Sequence, residues 1–180
     1  MIAEAAWQEF SLRKVLFIPS GDTPNKDMHH IDKNIRYAMV EKAIEGNGHF
    51  MISPIERDRQ GPSYTVDTIR ILQREFGDDY DFFFIGGTDA VADLPTLKYN
   101  RELLSACHFI CASRPGNENE IQKSIDYFGE LGREKIHFLK TPELAISSTI
   151  LREWIAEKRS VRYLIPDAVI DMIRSNKLYE

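Results

Sequence analysis

The sequence predicts an α/β fold with a doubly wound parallel sheet, in a single domain that spans residues 1–180. Short apolar runs alternate along the chain with segments of helical period, a pattern typical of right-handed βαβ units. The apolar runs are continuous, as in parallel strands that helices cover on both faces. A chain of 180 residues with 43% hydrophobic and 28% charged residues has the size and composition of one globular domain.

Five apolar runs are predicted strands. The clearest is Phe82–Gly86, in which four large apolar side chains follow one another. The other runs are Val15–Pro19, Phe50–Ile55, Phe109–Ala112 and Ile136–Leu139. Together they are expected to form the buried layer of the fold.

Four segments repeat apolar residues at helical spacing. The first lies at the start of the chain and contains Ile2, Ala5, Ala6 and Phe10. The other three stripes are Ile35, Met39 and Ala43; Val66, Ile69, Leu72 and Phe76, ending at Gly77; and Ile121, Ile125, Phe128 and Leu131. Because a doubly wound fold places a central strand first, we expect a strand to precede the first helix.

Charge and composition exclude several classes of protein. The net charge of −5 argues against a general binder of nucleic acid or of anionic membranes, although a small anion can bind in a locally positive pocket. No apolar run approaches the ~18 residues that span a bilayer. The start of the chain has an acid at Glu4 and no basic segment, so it is not a signal or transit peptide. Cys107 and Cys111 are expected to be buried thiols in a reducing, cytoplasmic setting.

Polar groups follow each predicted strand. Ligands of open α/β sheets bind beyond the carboxyl ends of the strands, so these groups are expected at one edge of the sheet. The segments are Ser20–Lys26, Glu56–Asp67, Gly87–Asp89, Ser113–Gly116 and Ile146–Arg152. Their convergence predicts a phosphate-bearing ligand, although the sequence has no P-loop, dinucleotide fingerprint or nucleophile elbow.

The segment Ile146–Arg152 has the composition of a helix start that binds phosphate. Ser147, Ser148 and Thr149 are candidate N-caps, and the unpaired N–H groups of a first turn attract anions together with the helix dipole. Arg152 follows Ser148 by four residues, which places both on one helical face. The alternative is an ordinary capped helix with a solvated Arg152, and the other polar strand ends favour the phosphate site.

Other polar groups at the strand ends have structural alternatives. Gly86-Gly87 could form only a tight turn with Asp89 as a helix cap, and Arg114–Gly116 could be a solvated turn. His29 and His30 are adjacent in a polar loop, where histidines are more often solvated than bound to a metal. No metal site is therefore predicted there.

The strand-end motifs, in this order, resemble those of bacterial nicotinate-nucleotide adenylyltransferases, which belong to the nucleotidyltransferase superfamily. The matching residues extend over nearly the whole chain: Phe17–Pro19, Thr23, Pro24, Lys26, Arg36, Met39, Gly61–Thr68, Phe84, Ile85, Gly87, Asp89, Leu94, Pro95, Arg114–Gly116, Ile146–Thr149, Arg152, Tyr163–Asp167 and Lys177–Tyr179. The resemblance implies the Rossmann-like nucleotidyltransferase fold.

The resemblance also implies a reaction and the residues that serve it. AMP passes from ATP to nicotinate mononucleotide in the presence of Mg²⁺, giving deamido-NAD and pyrophosphate, and the acceptor phosphate attacks the ATP α-phosphorus in line. The implied ATP-binding residues are Gly87, Asp89, Arg114, Ser147, Ser148, Thr149 and Arg152. The implied nicotinate mononucleotide-binding residues are Lys26, Tyr64, Thr65 and Leu97. No nucleic-acid or membrane partner is expected, and a homo-oligomer is left open.

Two departures from the family's pattern bear on activity. The family's head, Gly-Gly-Thr-Phe-Asp-Pro-x-His-x-Gly-His, is absent, and His29 and His30 lie in a different loop, so neither catalytic histidine is present. The head, roughly 20 residues, carries the first strand, so we expect a missing first strand and a vacancy beside Val15–Pro19. If no segment that encodes the head lies upstream of Met1, we expect no detectable adenylyl transfer. Leu97 stands where the family has a tryptophan that stacks on the pyridine ring, and Asn25 where it has a histidine.

Two other functions are left open by the sequence. One is a non-catalytic nucleotide-binding fragment, and the other is an adenylyl- or cytidylyltransferase that uses a different phosphate acceptor. A genomic segment upstream of Met1 that encodes the head would favour the enzyme over the fragment.

Overall fold

The structure is a computed structural model and describes residues 1–21, 31–61, 63–77, 79–113, 118–141 and 146–179. Helices and strands alternate along these residues. In chain order the elements are α1 Ile2–Glu9, β1 Val15–Phe17, α2 Lys33–Ile44, β2 Phe50–Ile52, α3 Thr65–Phe76, β3 Phe83–Gly87, α4 Thr88–Ala92, a 3₁₀ turn Leu94–Thr96, α5 Asn100–Ala106, β4 His108–Ser113, α6 Glu118–Phe128, α7 Glu130–Lys135, β5 Ile136–Lys140, α8 Ser148–Ala156 and α9 Asp167–Ser175.

The chain divides into two compact units. The first unit comprises Met1–Arg13 and Tyr64–Glu143, and the second comprises Lys14–Ser63 and Leu144–Glu180. The described strands accordingly form two parallel sheets, one of three strands in the first unit and one of two strands in the second. The single-domain organisation and the vacancy beside β1 stay predictions.

The first unit is built on a parallel sheet with the order β3-β4-β5. Its central strand β4 is buried on both faces, since successive residues Ile110 and Cys111 point to opposite sides and neither is exposed. On one face, Ile110 and Leu139 form a cluster with Ala6 of α1. The continuous apolar run Phe109–Ala112 therefore corresponds to a strand that is covered on both faces, as predicted, whereas Phe138 of β5 is 41% exposed.

The second unit contains the parallel pair β1-β2, in which Val15 is aligned with Phe50. The rings of Phe17 and Phe50 meet edge to face with centroids 5.1 Å apart. Helix α2 begins after Asp32, whose carboxylate accepts hydrogen bonds from the amides of Asn34 at 2.8 Å and Ile35 at 3.3 Å. These bonds lower the pKa of Asp32, because they stabilise its charged form.

Two predicted elements differ most clearly in their bounds from the structure. The strand predicted over Phe50–Ile55 ends at Ile52, since Pro54 has no N–H for the ladder and its carbonyl accepts from Asp58 in a turn. The helical stripe that ends at Leu131 is divided between α6 and α7, because Gly129 has a φ of 65° between them.

The predicted N-terminal helix is confirmed as α1, and the helix predicted to end at Gly77 is confirmed as α3. Among the described residues, no helix combines the length and the apolar character that crossing a membrane requires.

Candidate functional site

The start of α8 has the geometry of a capped helix terminus. Ser147 has extended backbone angles and is the N-cap, and its hydroxyl accepts a hydrogen bond from the amide of Ile150 at 3.2 Å. The amides of Ser148 and Thr149 have no partner within the helix, because they belong to its first turn. Both residues are exposed. The cap predicted from the sequence is thus confirmed at Ser147, and the first turn presents two N–H groups to an anion.

Arg152 lies one helical turn after Ser148 and is exposed. Its guanidinium carbon lies 5.7 Å from the centroid of the Tyr179 ring, within the range of a cation–π contact. The side chain therefore has a neighbour in the second unit while its planar fork stays accessible.

In the first unit, the end of β3 provides an open backbone position. Gly86 and Gly87 are the last two residues of the strand, so they do not form the tight turn that was the alternative. A Cβ on Gly86 would lie 2.9 Å from the Cβ of Ala90, whereas a Cβ on Gly87 would have no described neighbour within 4 Å. Packing thus explains Gly86 but not Gly87, and the space at Gly87 suits close approach of a ligand.

Asp89 lies in the first turn of α4, which starts directly after Gly87. Its side chain is exposed, and α4 has no cap formed by a side chain. The alternative role of Asp89 as a helix cap is therefore not what the structure shows.

Tyr64 and Thr65 form the start of α3. Tyr64 is the N-cap in an extended conformation, without a hydrogen bond from its side chain to the helix, and it is 49% exposed. Thr65 is the first helical residue and is partly buried. An exposed tyrosine ring beside a helix terminus can stack on a ligand ring while the terminus binds its polar atoms.

Leu97 follows the 3₁₀ turn and is 42% exposed. The turn is anchored by Leu94, which is completely buried. The side chain of Asn100 donates to the carbonyl of Pro95 at 2.7 Å. This turn thus presents an apolar side chain to solvent from a rigid support.

Several predicted residues lie outside the described residues. They are Lys26 and Arg114, together with Asn25, His29 and His30. The roles that the resemblance implies for Lys26 and Arg114 stay predictions.

The two cysteines are not nucleophiles. Both thiols are buried and free, as predicted, and burial raises the pKa of Cys107 to about 12 and that of Cys111 to about 11. They are therefore protonated at neutral pH and act as small apolar side chains. Within the described part of the chain, no group of three or more His, Cys, Asp or Glu residues could hold a metal ion.

The sequence matches known proteins over most of its length. A family model described as cytidylyltransferase-like matches residues 1–154. A probable nicotinate-nucleotide adenylyltransferase from Moorella thermoacetica is 43% identical over 179 residues, which are 98% of this chain and 82% of the relative. The chain belongs to the nicotinate-nucleotide adenylyltransferases of this family. Another probable nicotinate-nucleotide adenylyltransferase, from Thermoanaerobacter sp., is 41% identical and covers 99% of this chain and 85% of its own.

Two solved structures of the nicotinic acid mononucleotide adenylyltransferase from Plasmodium falciparum have the same fold as this family member. One, complexed with APC, has a TM-score of 0.70 at 17% identity, and the other, complexed with NaAD, has a TM-score of 0.73 at 18% identity. Each match covers 99% of this chain and 90% of the chain in the solved structure. The predicted Rossmann-like nucleotidyltransferase fold is therefore confirmed.

In this adenylyltransferase, Ser20 and Gly21 directly after β1 are held by contacts that could not be predicted from the sequence. The guanidinium of Arg36 donates to the hydroxyl of Ser20 at 3.2 Å and to the carbonyl of Gly21 at 2.8 Å. A Cβ on Gly21 would collide with the backbone carbonyl of Glu56. Arg36 is among the residues that match the family, but sequence spacing did not identify these partners.

The sequence also gave no indication of the ion pair between α3 and α5. Arg70 of α3 contacts both Asp67, three residues earlier, and Glu102 of α5. The local pair could have been found from its helical spacing. The pair with Glu102 joins residues far apart in the sequence, so only the fold shows it.

Proposed function

We propose that the chain transfers AMP from ATP to nicotinate mononucleotide, producing deamido-NAD and pyrophosphate for NAD biosynthesis. The observation that carries this proposal is 43% identity, over 98% of the chain, with a relative named as a probable nicotinate-nucleotide adenylyltransferase. The match extends over almost the whole chain, so it spans the strand ends as well as the core.

For ATP, we propose that the start of α8 binds the phosphates. The amide of Ile150 already donates to the hydroxyl of Ser147. The amides of Ser148 and Thr149, together with the positive end of the helix dipole, therefore remain to bind the anion. Arg152 adds a planar group that can donate two hydrogen bonds to phosphate oxygens. Phosphoryl transfer depends on such positioning and neutralisation of charge more than on proton transfer.

Gly87 and Asp89 are proposed at the nucleotide close to the reacting phosphate. The space at Gly87 supports close approach of the ligand to the backbone. Arg114 is also proposed on the ATP side, and the support for it is the family motif Arg114–Gly116 alone.

For the acceptor, we propose that Tyr64, Thr65 and Leu97 surround the nicotinate ring. The exposed faces of Tyr64 and Leu97 provide apolar contact, and Thr65 offers a hydroxyl and an amide for the ring carboxylate. Lys26 is proposed as a contact of the mononucleotide phosphate.

The family uses ATP, a nucleoside triphosphate. We propose that the divalent metal of the reaction is Mg²⁺, which enters the site bound to ATP. Mg²⁺ is usually held by substrate phosphates, water and one or two carboxylates. The exposed carboxylate of Asp89, in the first turn of α4 directly after β3, is a donor of that kind. When bound, the metal would neutralise charge on the phosphates. A cytoplasmic location is also proposed, and the two free thiols support it.

A second candidate acceptor is a different mononucleotide. Leu97 in place of the family's tryptophan favours this candidate, because an aliphatic side chain recognises a pyridine ring less selectively than a stacked indole does. Nicotinamide mononucleotide is the acceptor to compare.

Isothermal titration calorimetry tests the proposal on binding, separately from turnover. We expect the chain to bind ATP with Mg²⁺, and nicotinate mononucleotide at least 10-fold more tightly than nicotinamide mononucleotide. Absence of binding by both mononucleotides would sink the proposal, and tighter binding of nicotinamide mononucleotide would favour the second candidate. Release of pyrophosphate then measures turnover, and a chain that binds both substrates and releases pyrophosphate carries out the proposed transfer.

A further inference from the structure

Two separate elements of the first unit carry the acceptor residues of the proposed function. Tyr64 and Thr65 lie at the start of α3, and Leu97 lies in the turn that leads into α5. Helices α3 and α5 pack against each other. The way in which these two helices are held together therefore sets the separation between Leu97 and the other two residues.

Leu97 is attached firmly to the start of α5. Its amide donates to the carbonyl of Leu94 at 3.2 Å, and its carbonyl accepts from the amide of Asn100 at 3.2 Å. The side chain of Asn100 also donates to the carbonyl of Pro95 at 2.7 Å. Because Asn100 is the first residue of α5, Leu97 moves with this helix.

Arg70 connects α3 to α5 through its guanidinium. Its Nε donates to Oε1 of Glu102 at 2.8 Å, and its Nη2 donates to the same oxygen. Its Nη1 points back along α3 and donates to Oδ1 of Asp67 at 2.7 Å. The ring of Tyr99, directly before α5, lies 5.9 Å from the guanidinium carbon. One planar group thus joins the first turn of α3 to the first turn of α5.

The network lies on the surface, where ion pairs contribute little to stability. Its main effect is therefore on the distance between the first turns of α3 and α5. The side chains of Arg70 and Glu102 are 40% and 47% exposed, and a second link, from Nε2 of Gln73 to the carbonyl of Ala106 at 3.3 Å, joins the far ends of the two helices. Without Arg70, α3 and α5 would remain packed, but their ends beside Tyr64 and Leu97 would be free to separate.

We propose that Arg70 is a positioning residue for the acceptor pocket, which with Glu102 and Asp67 sets the separation between Leu97 and the start of α3. The inference rests on the proposed function, because it assigns the pyridine ring to that space. Arg70 itself does not touch the substrate. A lysine cannot replace it, since an ammonium group lacks the planar fork that reaches both carboxylates in fixed directions.

Calorimetric binding of nicotinate mononucleotide and of ATP to the full chain tests the proposal. We expect Arg70→Gln and Glu102→Gln each to weaken the binding of nicotinate mononucleotide about 3- to 5-fold, which is the upper limit for an exposed ion-pair network. Arg70→Lys should weaken it by a similar factor, and the double variant no further than either single variant. The dissociation constant for ATP should stay within about twofold of the wild-type value in all of them.

The matched control is Arg74→Gln, one turn further along the same helix. Arg74 is exposed and is in no ion pair among the described residues, so both dissociation constants should equal those of the wild type. All variants should unfold within about 4 °C of the wild type, since exposed ion pairs add little stability.

Three results would overturn the inference. Unchanged binding of nicotinate mononucleotide by Arg70→Gln and Glu102→Gln would show that the network does not set the pocket. Equal weakening of ATP would show general damage instead of positioning. A wild-type chain that binds ATP but no nicotinate mononucleotide would overturn the proposed acceptor and this inference together, which distinguishes that failure from the first two.

Discussion

Arg152 connects a stacking contact with a proposed phosphate contact. Its guanidinium carbon lies 5.7 Å from the ring of Tyr179, and its side chain is exposed one turn after the free amides of α8. A cation held over an aromatic face loses part of its freedom before the ligand arrives. Tyr179 therefore orients the fork that is proposed to bind ATP.

The first prediction concerns Arg152 itself. Arg152→Gln should weaken the binding of ATP by about 10- to 100-fold, since hydrogen bonds to charged groups contribute about 1.5–3 kcal/mol, and Arg152→Lys should lose less because it keeps the charge. Calorimetry measures both constants. Arg159→Gln is the control, as Arg159 lies beyond α8 over the ring of Trp154. Equal affinity for ATP in Arg152→Gln and the wild type would contradict the proposed role.

Leu97 is the residue at which a second prediction can be made. Leu97→Trp should tighten the binding of nicotinate mononucleotide by about 2- to 10-fold, because an aromatic pair adds about 0.5–1.5 kcal/mol beyond the area it buries. The position is 42% exposed, so an indole fits without displacing the core. Titration of the wild type and the variant with the mononucleotide gives the result. A constant that does not change, or that rises, would count against placing the pyridine ring at Leu97.

Helices α6 and α7 of the first unit pack with their backbones in close approach. Gly132 of α7 is buried, and a Cβ there would collide with the carbonyl of Ile125 in α6. The two helices can therefore lie this close together only because residue 132 is a glycine, which has no side chain. Gly129, with a φ of 65°, permits the reversal that brings them together.

Gly132→Ala should consequently lower the free energy of unfolding by about 1–3 kcal/mol, as overpacking of a close contact does. Urea denaturation followed by circular dichroism measures the change. Gly48→Ala is the matched control, because Gly48 has no described neighbour within 4 Å of its Cβ position and no positive φ. If both variants are equally stable, the close approach of α6 and α7 is not needed.

The cap of α8 leads to a further prediction at this scale. Ser147→Ala removes the acceptor of the Ile150 amide and should cost about 1 kcal/mol, whereas Ser147→Gly should cost only a few tenths. The same denaturation experiment distinguishes the two variants. Similar losses for alanine and glycine would mean that the hydroxyl is not a cap in solution.

What the sequence predicted, and what it did not, follows the range of the interactions. The strands of the first unit, the cap at Ser147 and the end of α3 at Gly77 depend on neighbouring residues, and all were predicted within one or two positions. The contacts of Arg36 with Gly21 and of Arg70 with Glu102 join distant segments. Hydrophobic periodicity does not indicate such pairs, so these contacts could be identified only from the structure.

The stability of the protein is linked to pH through a pair of histidines in the first unit. His108 starts β4 and His137 lies in β5, and their Nδ1 and Nε2 atoms are 2.8 Å apart. Nζ of Lys135 lies 3.1 Å from Nε2 of His108. Because an ammonium group can only donate, Nε2 of His108 must be the acceptor of this hydrogen bond. Only neutral imidazoles can form both bonds, because one nitrogen of each ring must accept.

Burial first, and the charge of Lys135 next, lower the pKa of both histidines below the ordinary value of about 6.5, and His137 adds to the effect on His108. Asp81 and Glu134 oppose the shift at His108 without reversing it. The rings of Phe83 and Phe10, which pack on the pair, carry no charge. The unfolded chain therefore binds protons at a pH where the folded chain does not.

When the unfolded state binds more protons, stability rises with pH, so the contribution of the pair is present above pH ~6.5 and is lost as the pH falls through the lowered pKa values. The slope should reach at most about 1.4 kcal/mol per pH unit for each proton. We expect the free energy of unfolding to fall between pH ~6.5 and 5.5, above the range in which carboxylates titrate. The variant with His108→Asn and His137→Asn should show a flatter dependence in this window, since asparagine does not titrate. An equally steep slope in that variant, measured by urea denaturation at each pH, would show that other groups account for it.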